Sequence, residues 1–91
     1  EPVTPLKLRQ IDDLEDAVYE QGFSDCRVRH HGAVGRIELP TEELARAMEP
    51  EIRAALVAAG KETGFAHVTI DLDGIRSGLF SLQILGQGDR G

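Results

Sequence analysis

Ser24-Asp25-Cys26-Arg27-Val28-Arg29-His30-His31, then Gly32-Ala33, then Val34-Gly35-Arg36-Ile37-Glu38-Leu39: this segment has the pattern of a β-hairpin around which the rest of the chain can pack. From Ser24 to His31 the chain alternates. Cys26, Val28 and His30 fall on one face and Arg27, Arg29 and His31 on the other, the period-two pattern of a strand. His31-Gly32-Ala33 reads as a tight turn, and Val34 to Leu39 as the returning strand of a hairpin. In that second strand Ile37 and Leu39 point to the core, while Arg36 and Glu38 point away.

On the N-terminal side of the hairpin, Thr4-Pro5 opens a helix, with a hydroxyl cap and then proline at the first helical position, where no N–H is missed. Leu8, Ile11, Leu14 and Val18 recur at steps of three and four and predict a stripe facing the core. Gly22 ends this helix and Phe23 packs back on it. After the hairpin, Pro40-Thr41-Glu42-Glu43 opens a second helix with a cap and early acids. Pro50 cannot lie inside a straight helix, so a break is expected near Glu49, with a second helical piece from Pro50 to about Thr63. Gly64-Phe65 repeats the Gly22-Phe23 ending, and Gly74 follows it at the interval by which Gly32 follows Gly22. Val68, Ile70 and Leu72 then read as the inward face of a third strand, with His67, Thr69 and Asp71 outward.

The expected order is α-β-β-α-β: a small α/β (α+β) domain with a three-stranded mixed sheet over residues ~25–31, ~34–39 and ~67–72. A right-handed crossover makes the second and third strands parallel, helices cover one face, and the other face stays open and polar. Residues 1–91 make one domain, since a second core would leave too little chain for either half. The last six residues, 86–91, read as a loose tail.

Composition narrows the function classes. Sixteen acids against ten bases give a net charge of −6, which argues against nucleic-acid binding by phosphate neutralisation. One cysteine, Cys26, cannot make a disulfide framework, and no apolar run approaches a membrane span. A cytoplasmic domain without membrane contact is expected. The chain opens Glu1-Pro2-Val3-Thr4-Pro5 without an initiator methionine and reads as part of a longer protein or a processed product.

Four groupings carry chemistry. Arg27, Arg29 and Arg36 project from one side of two adjacent strands, and guanidinium forks match phosphate or carboxylate oxygens. The plainer alternative is a solvated face with cross-strand pairs from arginine to Glu38 or Asp71, each worth at most about 1 kcal/mol. Glu15 falls within or beside the apolar stripe of the first helix, where a carboxylate needs a partner; the plainer alternative is that it sits on the stripe's margin and reaches solvent. His30, His31, His67, Cys26 and Asp71 show no metal-site spacing, since adjacent strand histidines point opposite ways, and Cys26 reads as a small core residue. Asp73-Gly74-Ile75-Arg76-Ser77-Gly78 is a turn-rich run at a strand end, a place where α/β proteins bind ligands, although its Gly and Asp content fits an ordinary turn by default.

Taken together, Val3-Thr4-Pro5, Val28-Arg29-His30-His31-Gly32, Arg36-Ile37-Glu38-Leu39-Pro40, Gly64-Phe65 and Val68-Thr69-Ile70-Asp71-Leu72-Asp73-Gly74-Ile75-Arg76-Ser77-Gly78 are similar to a known family. The stretch resembles the C-terminal region of ATP-dependent sacrificial sulfur transferases, members of the PP-loop (adenine nucleotide alpha-hydrolase-like) superfamily that act in assembly of the nickel-pincer cofactor of lactate racemase. The resemblance implies an enzyme that adenylylates a carboxylated pyridinium with ATP and magnesium, after which a cysteine gives up its sulfur and becomes dehydroalanine. It implies phosphate binding by Arg27 and Arg29 and places Glu15 in the active-site surroundings; the strand pairing, not the resemblance, brings Arg36 toward the same point. It also implies two partners: an N-terminal PP-loop domain and a phosphate or carboxylated small molecule.

The Ser-Gly-Gly-x-Asp-Ser loop of that family is absent here, and its sulfur-donating cysteine lies upstream of Val-Thr-Pro, so Cys26 does not take that role. After Gly78, Leu79-Phe80-Ser81-Leu82 departs from the family's polar ending. The 91 residues alone are therefore expected to hold no cofactor and not to turn over ATP. The alternative reading is a non-catalytic interaction module, or a homo-oligomer, that docks a partner through its open sheet face or edge.

Overall fold

Thr4 Oγ1 accepts the Lys7 N–H at 3.2 Å and starts helix α1, Pro5–Glu20, with proline in its first turn. The computed structural model describes residues 4–75. Strand β1 (Arg27–His31) and strand β2 (Val34–Glu38) follow, then a 3-10 turn (Thr41–Glu43), helix α2 (Leu44–Ala47), helix α3 (Pro50–Glu62) and strand β3 (His67–Ile70).

The sheet order is β1-β2-β3. Strands β1 and β2 are antiparallel with Val28 opposite Ile37, and β2 and β3 are parallel with Ile37 opposite Ile70. This is the expected mixed sheet, and the shared inward direction of Val28, Ile37 and Ile70 fixes its register. Helices α1 and α3 pack on that inward face. The core is Leu14 and Val18 from α1, Val28, Ile37 and Leu39 from the hairpin, Ala47 and Leu56 from the crossover, and Phe23, Cys26 and Phe65 from the connections. Full burial of a side chain such as Leu14 or Ile37 contributes about 1.5–3 kcal/mol.

The two Gly-Phe steps do the same job. Gly22 (φ 92°) and Gly64 (φ 107°) leave their helices in the left-handed region, and Phe23 and Phe65 turn back into the core. The Phe65 N–H reaches the Gly60 carbonyl at 3.0 Å, closing α3. Pro50 breaks the crossover as expected: Glu49 takes the extended conformation that a residue before proline prefers, and its carbonyl accepts the Arg53 N–H at 2.8 Å.

Three expectations are corrected. Leu8 lies outside the core, 52% exposed. Helix α1 has 16 residues and spans about 24 Å against about 17 Å for a five-residue strand, so its first turns overhang the sheet. Leu72, expected to face inward, is 85% exposed. Asp71 ends β3 early, because its Oδ1 accepts the Asp73 N–H at 2.9 Å and its carbonyl accepts the Gly74 N–H at 3.2 Å, making a turn where alternation would have continued. The segment after Pro40 opens as a 3-10 turn rather than an α-helix, and Thr41 supplies no cap. The Glu43 carboxylate is drawn instead to Ser24, accepting its N–H at 3.1 Å and its hydroxyl at 2.7 Å. Arg76-Ser77-Gly78 and the 86–91 tail lie outside the described residues.

Candidate functional site

The hairpin register decides what the open sheet face contains. Arg29 is directly opposite Arg36, and Arg27 is directly opposite Glu38. Arg36 is in turn opposite Thr69 on β3. Residues directly opposite share a face, so the three arginines and Glu38 form one patch, away from the helices. Arg27 and Arg29 leave the same face about 6.5–7 Å apart at the backbone.

Two like charges facing each other across a ladder are destabilising unless something lies between them. Here it is Glu38. Its Oε1 is 3.4 Å from Arg29 Nε and its Oε2 is 3.1 Å from Arg36 Nη2. Asp71 approaches from β3, with Oδ2 at 3.8 Å from Arg36 Nε, which is itself buried and makes no hydrogen bond. Among the described residues, Arg27 has no ion-pair partner. The cross-strand pairs to Glu38 and Asp71 therefore form, and three guanidiniums still face only two carboxylates. The patch keeps one net positive charge on a chain of −6.

Glu15 does not join that patch. From α1 it reaches the outer edge of β1, where its Oε2 accepts the Val28 N–H at 2.9 Å. It meets the backbone between the two arginines and not their side chains. The other titratable groups are equally divided. His30 faces inward, 2.8 Å from Gln10 Oε1 and with its ring centroid 5.0 Å from that of Phe65. His31 and His67 are exposed on the open face. Among the described residues no group of three or more His, Cys, Asp or Glu side chains converges as a metal site would.

Cys26 is buried, and its N–H is held by Asp25 Oδ1 at 2.8 Å. Burial, then the nearby carboxylates of Glu15, Asp25 and Glu38, push its thiol up to about 12. A thiol of that kind is a poor nucleophile at neutral pH.

Sequence reasoning missed a second surface feature. Ala47, Met48, Arg53, Leu56, Val57, Val68, Ile70 and Leu72 line a groove of about 310 Å³ beside β3. The available signal was in α3, where Ile52, Leu56 and Ala59 face the core and Val57, off that stripe, is still apolar and 39% exposed. None of the described helices is long and apolar enough to cross a membrane.

No family profile matches the chain. It is 33% identical over 78 residues to the uncharacterized protein slr1717 of Synechocystis sp., an alignment covering 86% of this chain. The chain spans only 29% of the length of that relative.

Proposed function

We propose that this chain is the anion-binding C-terminal portion of a cytoplasmic ATP-dependent sulfur transferase of the PP-loop superfamily, acting in nickel-pincer cofactor assembly. The observation that supports the reading is the arginine face. Three guanidiniums share one open surface with two carboxylates, one of which serves two arginines at once. Arg27 and Arg29 bind the anion, and Arg36 approaches from the neighbouring strand. The small-molecule ligand is a phosphate or a carboxylate, since both present oxygens to a guanidinium fork. Glu15 fixes the strand from which the two arginines project.

Of the two cofactors implied by the resemblance, the arginine face fits the phosphates of ATP and does not fit magnesium. Its two carboxylates, Glu38 and Asp71, are taken up by Arg29 and Arg36, and no group of three or more His, Cys, Asp or Glu converges among the described residues. When bound, ATP would supply the adenylyl group, with pyrophosphate leaving, and this chain's residues would bind and orient an anion at the open face. The rest of the catalytic apparatus, in this reading, belongs to an N-terminal PP-loop domain.

Phosphate titration followed through backbone amide NMR shifts tests the proposal. Shifts should cluster on β1 and β2 with millimolar affinity and vanish in the Arg27→Ala/Arg29→Ala double variant. Shifts that gather elsewhere, or survive the double substitution, would return the open face to solvated surface.

A further inference from the structure

The two edges of the sheet are treated differently. At β1, the Val28 N–H that points away from the sheet is held by Glu15. At β3, the His67 N–H reaches Ala33 O at 3.2 Å and the Asp71 N–H reaches Ile37 O at 2.9 Å, so these residues bond toward β2. Strand alternation then turns the N–H and C=O groups of Val68 and Ile70 outward, where no described residue pairs with them. An edge of this kind is a template for another strand. The side chains of the same two residues line the apolar groove, which is bordered by exposed Met48, Val57 and Leu72.

The sequence of the edge says what fits it. His67-Val68-Thr69-Ile70-Asp71 is complementary to itself when reversed about Thr69. Antiparallel pairing with an identical strand places Val68 opposite Ile70 and His67 opposite Asp71, each twice, with Thr69 facing its own copy on the axis. Val68 and Ile70 carry the outward backbone groups, so each Val68–Ile70 pair exchanges both of its hydrogen bonds, as an antiparallel ladder requires. A one-residue slip would bring Thr69 opposite Ile70 and lose both the Val68–Ile70 and the His67–Asp71 pairs.

We propose that β3 pairs with β3 of a second copy of this chain, about a two-fold axis through Thr69, joining two three-stranded sheets into one of six strands. The axis is perpendicular to the sheet, so the helices of both copies lie on one side and both arginine faces on the other. The two apolar grooves flank the axis and cover each other's Met48, Val57 and Leu72. This pairing does not depend on what binds the arginines.

Sedimentation analysis of the full chain, from low micromolar to millimolar concentration, tests it together with amide hydrogen exchange. A dimer should form. Exchange at Val68 and Ile70 should slow as concentration rises, while that of Thr69, already bonded toward β2, should not change. Thr69→Lys places two ammonium groups on the axis and should weaken association by about tenfold or more. Thr69 is exposed, so the folded monomer should keep its amide spectrum. Asp71→Lys should weaken the dimer as well, and adding His67→Glu should restore it, because only the paired copy brings positions 67 and 71 together. A chain that stays monomeric at millimolar concentration would overturn the proposal. So would a dimer indifferent to Thr69→Lys, or protection of Val68 and Ile70 that ignores concentration because the edge is covered within one copy.

Discussion

Glu38 lends one carboxylate to two guanidiniums, and its side chain is only 15% exposed while theirs remain 46% and 38% exposed. Any anion arriving at Arg29 must therefore compete with a carboxylate already in place. Replacing it by a neutral isostere removes the competitor and one repelling charge. Glu38→Gln should tighten phosphate binding about fivefold, on the scale of roughly 1 kcal/mol for an exposed pair. Unchanged or weaker binding in the same NMR titration would show that Glu38 orients the arginines and does not compete. Cys26 makes the opposite case, a reactive group type placed where it cannot react. Its thiol is raised from an ordinary value near 9 to about 12, burial being the main cause. The raised value means the folded chain resists ionisation that the unfolded chain accepts. The stabilising contribution is thus complete below pH 9 and lost as pH climbs toward 12. Native protein should react slowly with a thiol reagent at pH 8 and quickly once unfolded, whereas rapid native labelling would contradict the burial.

Strand β1 is five residues long and lies at a sheet edge, yet it must hold two arginines in fixed directions. The hydrogen bond from the Val28 N–H to Glu15 ties its outer side to α1. Hydrogen bonds to a charged acceptor contribute about 1.5–3 kcal/mol, less where water can substitute. Glu15→Ala should lower stability by roughly 1 kcal/mol and speed exchange of the Val28 amide, with the β2 amides much less affected. Equal acceleration across both strands would mean that Glu15 supports the whole fold and not this edge. The hairpin itself was legible because Cys26 to Leu39 keeps its period of two almost throughout and Gly32 marks the reversal. The break at Pro50 was legible for a covalent reason, the ring. Leu72 was not, since Asp71 starts a side-chain turn that alternation cannot reveal. Thr41 was not legible as a non-capping residue: its hydroxyl donates to Glu42 Oε1 at 3.3 Å, and the Glu43 carboxylate is taken by Ser24, nineteen positions earlier. The face of the three arginines followed from strand parity. Sharing of Glu38 depended on a register that only the folded hairpin sets.

Across the whole molecule, the charges of the open face oppose the charge of the chain. Three arginines against Glu38 and Asp71 leave a small positive patch on a protein of net charge −6. Long-range repulsion therefore slows and weakens capture of an anion, and local contacts must supply the affinity. Millimolar binding is the scale expected for a few guanidinium contacts that also freeze exposed side chains. Binding to the folded chain alone must appear as stability. At a phosphate concentration about ten times the dissociation constant, the native state gains RT ln 11, about 1.4 kcal/mol. For a domain of this size each kcal/mol moves the midpoint by roughly 4–8 °C, so thermal unfolding should shift upward by roughly 6–11 °C. Chloride at matched ionic strength screens the same charges without bridging two forks, and should give a much smaller shift. The phosphate-specific part should disappear in Arg27→Ala/Arg29→Ala and grow in Glu38→Gln, because those variants remove the site and its internal competitor respectively. Equal shifts in phosphate and chloride would reduce the effect to screening and remove the case for an anion site on this face.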